Sequence, residues 1–98
     1  MKKINVNLAD VLDKESFHNV FALAFSFPNY YGKNMDAWID SVDDYCSEYK
    51  MVVLELKNSE ILKKTNRKIL NDLLECSAFV NYRRLKRGDN PSLIISMN

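Results

Sequence analysis

Met51-Val52-Val53-Leu54-Glu55-Leu56 is a nearly continuous apolar run rich in β-branched residues, the pattern of a strand covered on both faces. Upstream, Ile4, Val6 and Leu8 alternate with Asn5 and Asn7, a period of two that predicts a first strand. Downstream, Leu93-Ile94-Ile95 predicts a short last one. Helical patterns fill both intervals. Asp10 or Asp13 caps a helix whose apolar stripe is Phe17, Val20, Phe21 and Ala24, and Pro28 ends it because the residue before a proline is pushed out of helical geometry. Asn34 caps a second helix with Met35, Trp38, Ile39, Val42, Tyr45 and Cys46 on one face and Asp36, Asp40, Asp43, Asp44 and Ser47 on the other. Beyond the central strand, Asn58 or Ser59 opens a short helix through Lys64. Thr65 or Asn66 then opens a longer one with Ile69, Leu70, Leu73, Leu74, Cys76 and Val80 inward. Gly88 and Pro91 are its stop signals. Phe79 and Tyr82 fall off that stripe, so either the helix ends near residue 80 or the two rings pack elsewhere. Strands separated by helices need crossover connections, which make the sheet parallel. The prediction is an α/β fold in the order β-α-α-β-α-α-β, a three-stranded parallel sheet packed with about four helices.

The 98 residues suffice for one domain, 1–98, with no second core. Hydrophobic residues at 47% and charged residues at 28% exclude wholesale disorder. The apolar run around Phe21 to Phe25 stops at Ser26, far short of the ~20 residues that cross a bilayer. Met1-Lys2-Lys3-Ile4-Asn5 is not followed by the apolar core of a signal peptide, so the expected location is cytoplasmic and Cys46 and Cys76 are expected as free, buried thiols. One His and two Cys do not make a four-ligand zinc site. No metal or other cofactor is expected.

Charge is unevenly distributed along the chain. Residues 34 to 48 carry five acids and no base, whereas residues 57 to 89 carry nine bases against four acids, a dipole along the sequence that bears on the choice of partner. Two segments stand out. In Tyr30-Tyr31-Gly32-Lys33-Asn34-Met35-Asp36-Ala37-Trp38-Ile39-Asp40, tyrosines precede an acidic helix face, which makes either a rigid, negative docking surface or a sealed loop beside solvated carboxylates. In Tyr82-Arg83-Arg84-Leu85-Lys86-Arg87, four bases in five residues either grip an RNA backbone or complement a helix C-terminus. Enzymatic readings find less support. His18 lies beside an apolar stripe, both cysteines read as core, and Asp36 with Asp40 lacks any accompanying phosphate loop or metal motif. No catalytic residue is assigned.

Phe27-Pro28-Asn29-Tyr30-Tyr31-Gly32-Lys33-Asn34-Met35-Asp36-Ala37 resembles the segment Leu-Pro-x-Tyr-Tyr-Gly-x-Asn-Leu-Asp-Ala of the barstar family, intracellular inhibitors of the ribonuclease barnase. Element order agrees over nearly the whole chain. Outside residues 17 to 45 the resemblance is in pattern rather than in letters. It implies a non-catalytic inhibitor whose tyrosine loop and second helix plug a ribonuclease active site, with acidic side chains standing where substrate phosphates would. Carried over by motif, the interfacial residues are Tyr30, Gly32, Asn34, Asp36 and Asp40, with Asp40 set among the enzyme's catalytic cations. Gly32 serves the backbone geometry, so its substitution disrupts the loop rather than one contact.

The family has Leu-Trp where this chain has Trp38-Ile39, which turns Trp38 toward the core and leaves Ile39 in the place flanking the acids, so Ile39 and Asp43 join the expected toxin-binding residues. The family's later interfacial glutamate falls on Glu75 when counted from the start of the last helix, and on Arg83 when counted back from Gly88. Glu75 is the preferred placement. The family is acidic overall, whereas this chain carries a net charge of only +1. The partner that the resemblance implies is a basic ribonuclease toxin bound one to one, with neither nucleic acid nor membrane as ligand. The rival is an RNA-binding or scaffold module acting through residues 83 to 87.

Overall fold

A computed structural model describes residues 1–98. The chain runs β1 (Lys2–Asn7), a 3₁₀ turn (Leu8–Asp10), α1 (Lys14–Phe25), α2 (Met35–Tyr49), β2 (Val52–Lys57), α3 (Ser59–Thr65), α4 (Arg67–Lys86) and β3 (Leu93–Met97). The strands form one parallel sheet in the order β1-β2-β3. This is the α/β arrangement that the alternation of strand and helix patterns implied.

Register explains the core. Ile4, Leu54 and Ile95 lie side by side, as do Val6, Leu56 and Met97, and Val52 with Leu93. Leu54, Leu56 and Val52 are fully buried against Phe17, Phe21, Trp38, Val42, Leu73 and Val80 from the helices. The alternate row, Lys3, Val53 and Ile94 followed by Asn5, Glu55 and Ser96, remains partly or wholly accessible, and Lys3 meets Glu55 there at 3.6 Å. The central strand is therefore covered on one face, not on both as its apolar run implied. On the open face Val53 lies between Lys3 and the exposed Ile94.

The helix ends follow local chemistry. Asp13 caps α1 in a capping box with Ser16, while Asn34 caps α2 through Ala37 N–H at 2.8 Å and Asn66 caps α4 through Ile69 N–H. Helix α4 continues to Lys86, beyond residue 80. Phe79 and Tyr82 stay on its solvent side, with ring centroids 5.8 Å apart. Asn81 ties the end of this helix to the last strand: its Oδ1 accepts from Ser92 and Leu93 N–H, and its Nδ2 donates to Leu93 O. Trp38 is wholly buried against Phe17 and Phe21, with its indole N–H unpartnered. Packing alone fixes its place.

Leu54→Ala is expected to lower stability by about 3 kcal/mol, and Val53→Ala by less than about 1 kcal/mol. Urea unfolding of the two variants measures the difference, and equal losses would mean that both sheet faces are packed.

Candidate functional site

Four positions on α2 spaced by one turn, Asp36, Asp40, Asp43 and Ser47, form a ridge along the flank that meets α4. The α4 side presents Cys76, Arg83, Arg84 and Arg87. Asp36 acts on the Cys76 thiol, Asp40 pairs with Arg83, and Asp43 pairs with Arg84 and Arg87. The two helices thus run in the same direction, with acids facing bases along their seam.

Asp43 is the anchor of that seam. Its side chain is only 5% exposed, with Arg84 at 2.9 Å, Arg87 at 2.7 Å and Arg83 at 3.4 Å. Arg84 is itself buried and also donates to Ser47 Oγ and Asn90 O. The Arg87 hydrogen bonds, then those of Arg84, hold the Asp43 carboxyl below its ordinary value of 3.8 against the opposing cost of burial. Asp43 is therefore an interior fastening and not a surface contact, which corrects the expectation for this residue. Helical periodicity put it among the acids of the polar face. Its position one turn beyond Asp40 faces α4, and the arginines there supply the charge that burial requires. Ile39 is likewise buried, at 7% exposure, within the core rather than flanking the acids.

The same seam offsets part of the charge dipole implied by the sequence. The acidic and basic segments fold onto each other. Of the four bases in 83 to 87, Arg83, Arg84 and Arg87 are held in ion pairs, and Lys86 lies over the Tyr82 ring at 5.7 Å. Lys86 is thus the one base of this segment outside an ion pair.

The remaining site residues lie on the surface. Asp36 and Glu75 are exposed and converge, with Asp72, around the half-buried Cys76, whose thiol is pushed up first by burial and then by those carboxylates. Asp40 keeps its side chain 65% exposed, with Oδ1 at 2.7 Å from Arg83 Nη1. The two tyrosines of the loop divide their roles. Tyr30 points outward and is 88% exposed. Tyr31 packs inward on Phe27, and its hydroxyl lies 2.6 Å from His18 Nδ1. Burial keeps the Tyr31 hydroxyl protonated, while burial and Lys33 push His18 below its ordinary value of 6.5. The hydrogen bond between the two side chains pins the loop to α1.

Asn34 is exposed, but its side chain is already engaged: Oδ1 caps α2 and Nδ2 donates to Gly32 O. The left-handed residue of the loop is Lys33, at φ 52°, and not Gly32. A Cβ at Gly32 would touch Ala37 Cβ and Asn34 Nδ2 at 3.4 Å each, so the loop needs little of glycine's freedom there.

On the opposite flank of α2, Tyr30, Ser41, Asp44, Tyr45 and Glu48 line an open groove of about 740 Å³ against Lys2, Lys3 and Asn5 of the sheet edge. Asp40 and Tyr30 thus stand on either side of one exposed helix. Among the residues available for chemistry, the Cys46 thiol is buried and pushed up to about 11, a poor nucleophile. No helix is long and apolar enough to cross a membrane. The geometry suits recognition.

A family model described as Barstar (barnase inhibitor) matches residues 1–95. The chain belongs to the barstar family. No curated protein matches it. Members of this family are inhibitors rather than enzymes, and family membership implies binding to a ribonuclease. Against that background, the residue that sequence reasoning undervalued is Arg83. Counting back from Gly88 placed it at the position of the family's interfacial glutamate, and here it pairs with Asp40.

Asp43→Asn is expected to destabilise the protein by about 3 kcal/mol or more, because Arg84 is left buried without a counter-charge. The folded-state pKa of Asp43 is depressed, so its contribution is fully present above the unfolded value of about 3.9 and is lost as pH falls through the folded one. Unfolding midpoints measured from pH 7 down to pH 2 should fall less steeply at the acid end for Asp43→Asn than for the wild type.

Proposed function

We propose that this protein is a cytoplasmic antitoxin or immunity protein that binds a basic ribonuclease one to one. It blocks the active site with α2 and the tyrosine loop, and has no catalytic activity of its own. The observation that carries this reading is the exposed side of α2: Asp36, Asp40 and Asp44 reach solvent from a helix whose other side is locked by Trp38, Ile39, Val42 and Cys46. A ribonuclease gathers cations around a phosphate, and carboxylates held on a rigid element compete for that place without first having to be ordered.

Asp40 is the main contact and Asp36 the second, with Tyr30 supplying an aromatic anchor at little entropic cost. Asn34 shapes the loop, Gly32 lets the partner approach the backbone closely, and Asp43 and Ile39 hold α2 in place. Glu75 extends the acidic edge from α4.

Titrating the wild-type protein into barnase, a basic ribonuclease, should abolish RNA cleavage at one equivalent. Asp40→Ala should weaken inhibition about 100-fold, as expected when one member of a desolvated interfacial charge pair is removed, with an unchanged unfolding midpoint. Undiminished inhibition by Asp40→Ala would rule this face out.

A further inference from the structure

Asp40, an exposed carboxylate of the seam, is not free in the unbound protein. Arg83 Nη1 lies 2.7 Å from its Oδ1, and Arg83 Nη2 lies 3.4 Å from Asp43 Oδ2. One guanidinium therefore spans two carboxylates a helical turn apart, and they are unequal partners. Asp43 is already satisfied by Arg84 and Arg87, which give it three hydrogen bonds of 2.7 to 2.9 Å. Asp40 has Arg83 alone and accepts only through Oδ1. A cation arriving from outside reaches Asp40 easily, because that side chain is 65% exposed, but it meets Arg83, itself 35% exposed, on the same carboxylate. In water two such cations are screened. In a closed interface their juxtaposition is costly.

We propose that Arg83 is a specificity-determining residue. It is an intramolecular competitor for the Asp40 carboxylate, and it lowers the affinity of this face for cationic ribonuclease centres in general. The inference rests on the docking of α2 proposed above and adds to it the cost of that docking. When a partner's cation takes Asp40, Arg83 withdraws toward Asp43, whose Oδ2 is already within 3.4 Å. The exchange is possible because the second carboxylate is fixed in place by other arginines. A merely attractive acidic face would bind every basic ribonuclease. An internal counter-ion removes the weak ones, which is specificity obtained by a repulsive element.

The test compares wild type, Arg83→Gln, Arg83→Lys, Asp40→Ala and Asp40→Ala/Arg83→Gln, with barnase as the cationic probe. The readouts are inhibition of RNA cleavage and the association rate at several salt concentrations. Arg83→Gln should inhibit about tenfold more tightly, associate faster and show the steeper salt dependence. Arg83→Lys keeps the competing charge and should stay near wild type. In the Asp40→Ala background, Arg83→Gln should bring no gain, because nothing is left to compete for. Asp43 retains Arg84 and Arg87 in every variant, and urea unfolding confirms that each is folded.

Unchanged or weakened inhibition by Arg83→Gln, with Asp40→Ala still impaired, would overturn the competitor role while leaving the docking face intact. Equal tightening by Arg83→Lys would overturn it as well, because shape rather than charge would then be responsible. Wild-type inhibition by Asp40→Ala, or no inhibition by any variant, would instead overturn the docking on which the inference rests.

Discussion

A single buried carboxylate fastens helix α2 of this protein to its scaffold. Asp43 accepts from Arg84 and Arg87 and lies within reach of Arg83, so the flank of α2 is riveted to the last turns of α4. Apolar packing of Trp38, Val42 and Cys46 sets how deeply α2 sits in the core, but such contacts are non-directional. The arginine cluster adds direction, because planar guanidinium groups bond only in certain orientations. A helix held by packing beneath and by charge along its side presents its outer residues at a defined angle. An inhibitor with a fixed surface loses little entropy on binding.

Rigidity reaches the loop ahead of α2 by another route. Tyr31 closes on His18, Asn34 caps the helix and bonds back to Gly32, and Lys33 takes the left-handed turn. Three short-range devices thereby leave Tyr30 standing outward on an ordered support. The adjacent tyrosines have opposite fates: Tyr31 packs on Phe27 and His18, whereas Tyr30 faces solvent.

The features legible in the sequence were those set by neighbours in the chain. The alternation of Ile4 and Val6, the cap at Asn34 and the inward Phe17 and Phe21 of α1 depend on local geometry and appear in the structure. Asn66 is the one of two candidates that caps α4. His18 and Phe25 are buried where the stripe had named Val20 and Ala24, which are half-buried. What was not legible came from elements far apart in sequence. Periodicity assigned Asp43 to the polar face because it reports angle around one helix, and the arginines that make its burial tolerable lie more than forty positions away. The apolar content of Val52 to Leu56 implied two covered faces, yet which faces are covered depends on how many helices the rest of the chain supplies. Arg83 was visible as a base near a helix end, but its pairing with Asp40 required the relative placement of α2 and α4. The candidate site was thus legible as a list of residues, and only the fold divided it into those that reach solvent and those that hold them there.

The order of the strands across the sheet is also their order along the chain, and this has a consequence for how the molecule forms. No strand pairs with a sequence neighbour through a hairpin. Lys2 aligns with Val52, and Val52 in turn with Leu93, so every ladder closes a loop of some forty to fifty residues, and the chain pays that closure entropy before the pairing returns anything. Folding therefore cannot start by zipping the sheet from one end. Helix α4 is the long local element, and Asn81 near its end holds the entry to β3 by three hydrogen bonds. An early α4 would hold its own strand beside it, and both ladders would then close on β2.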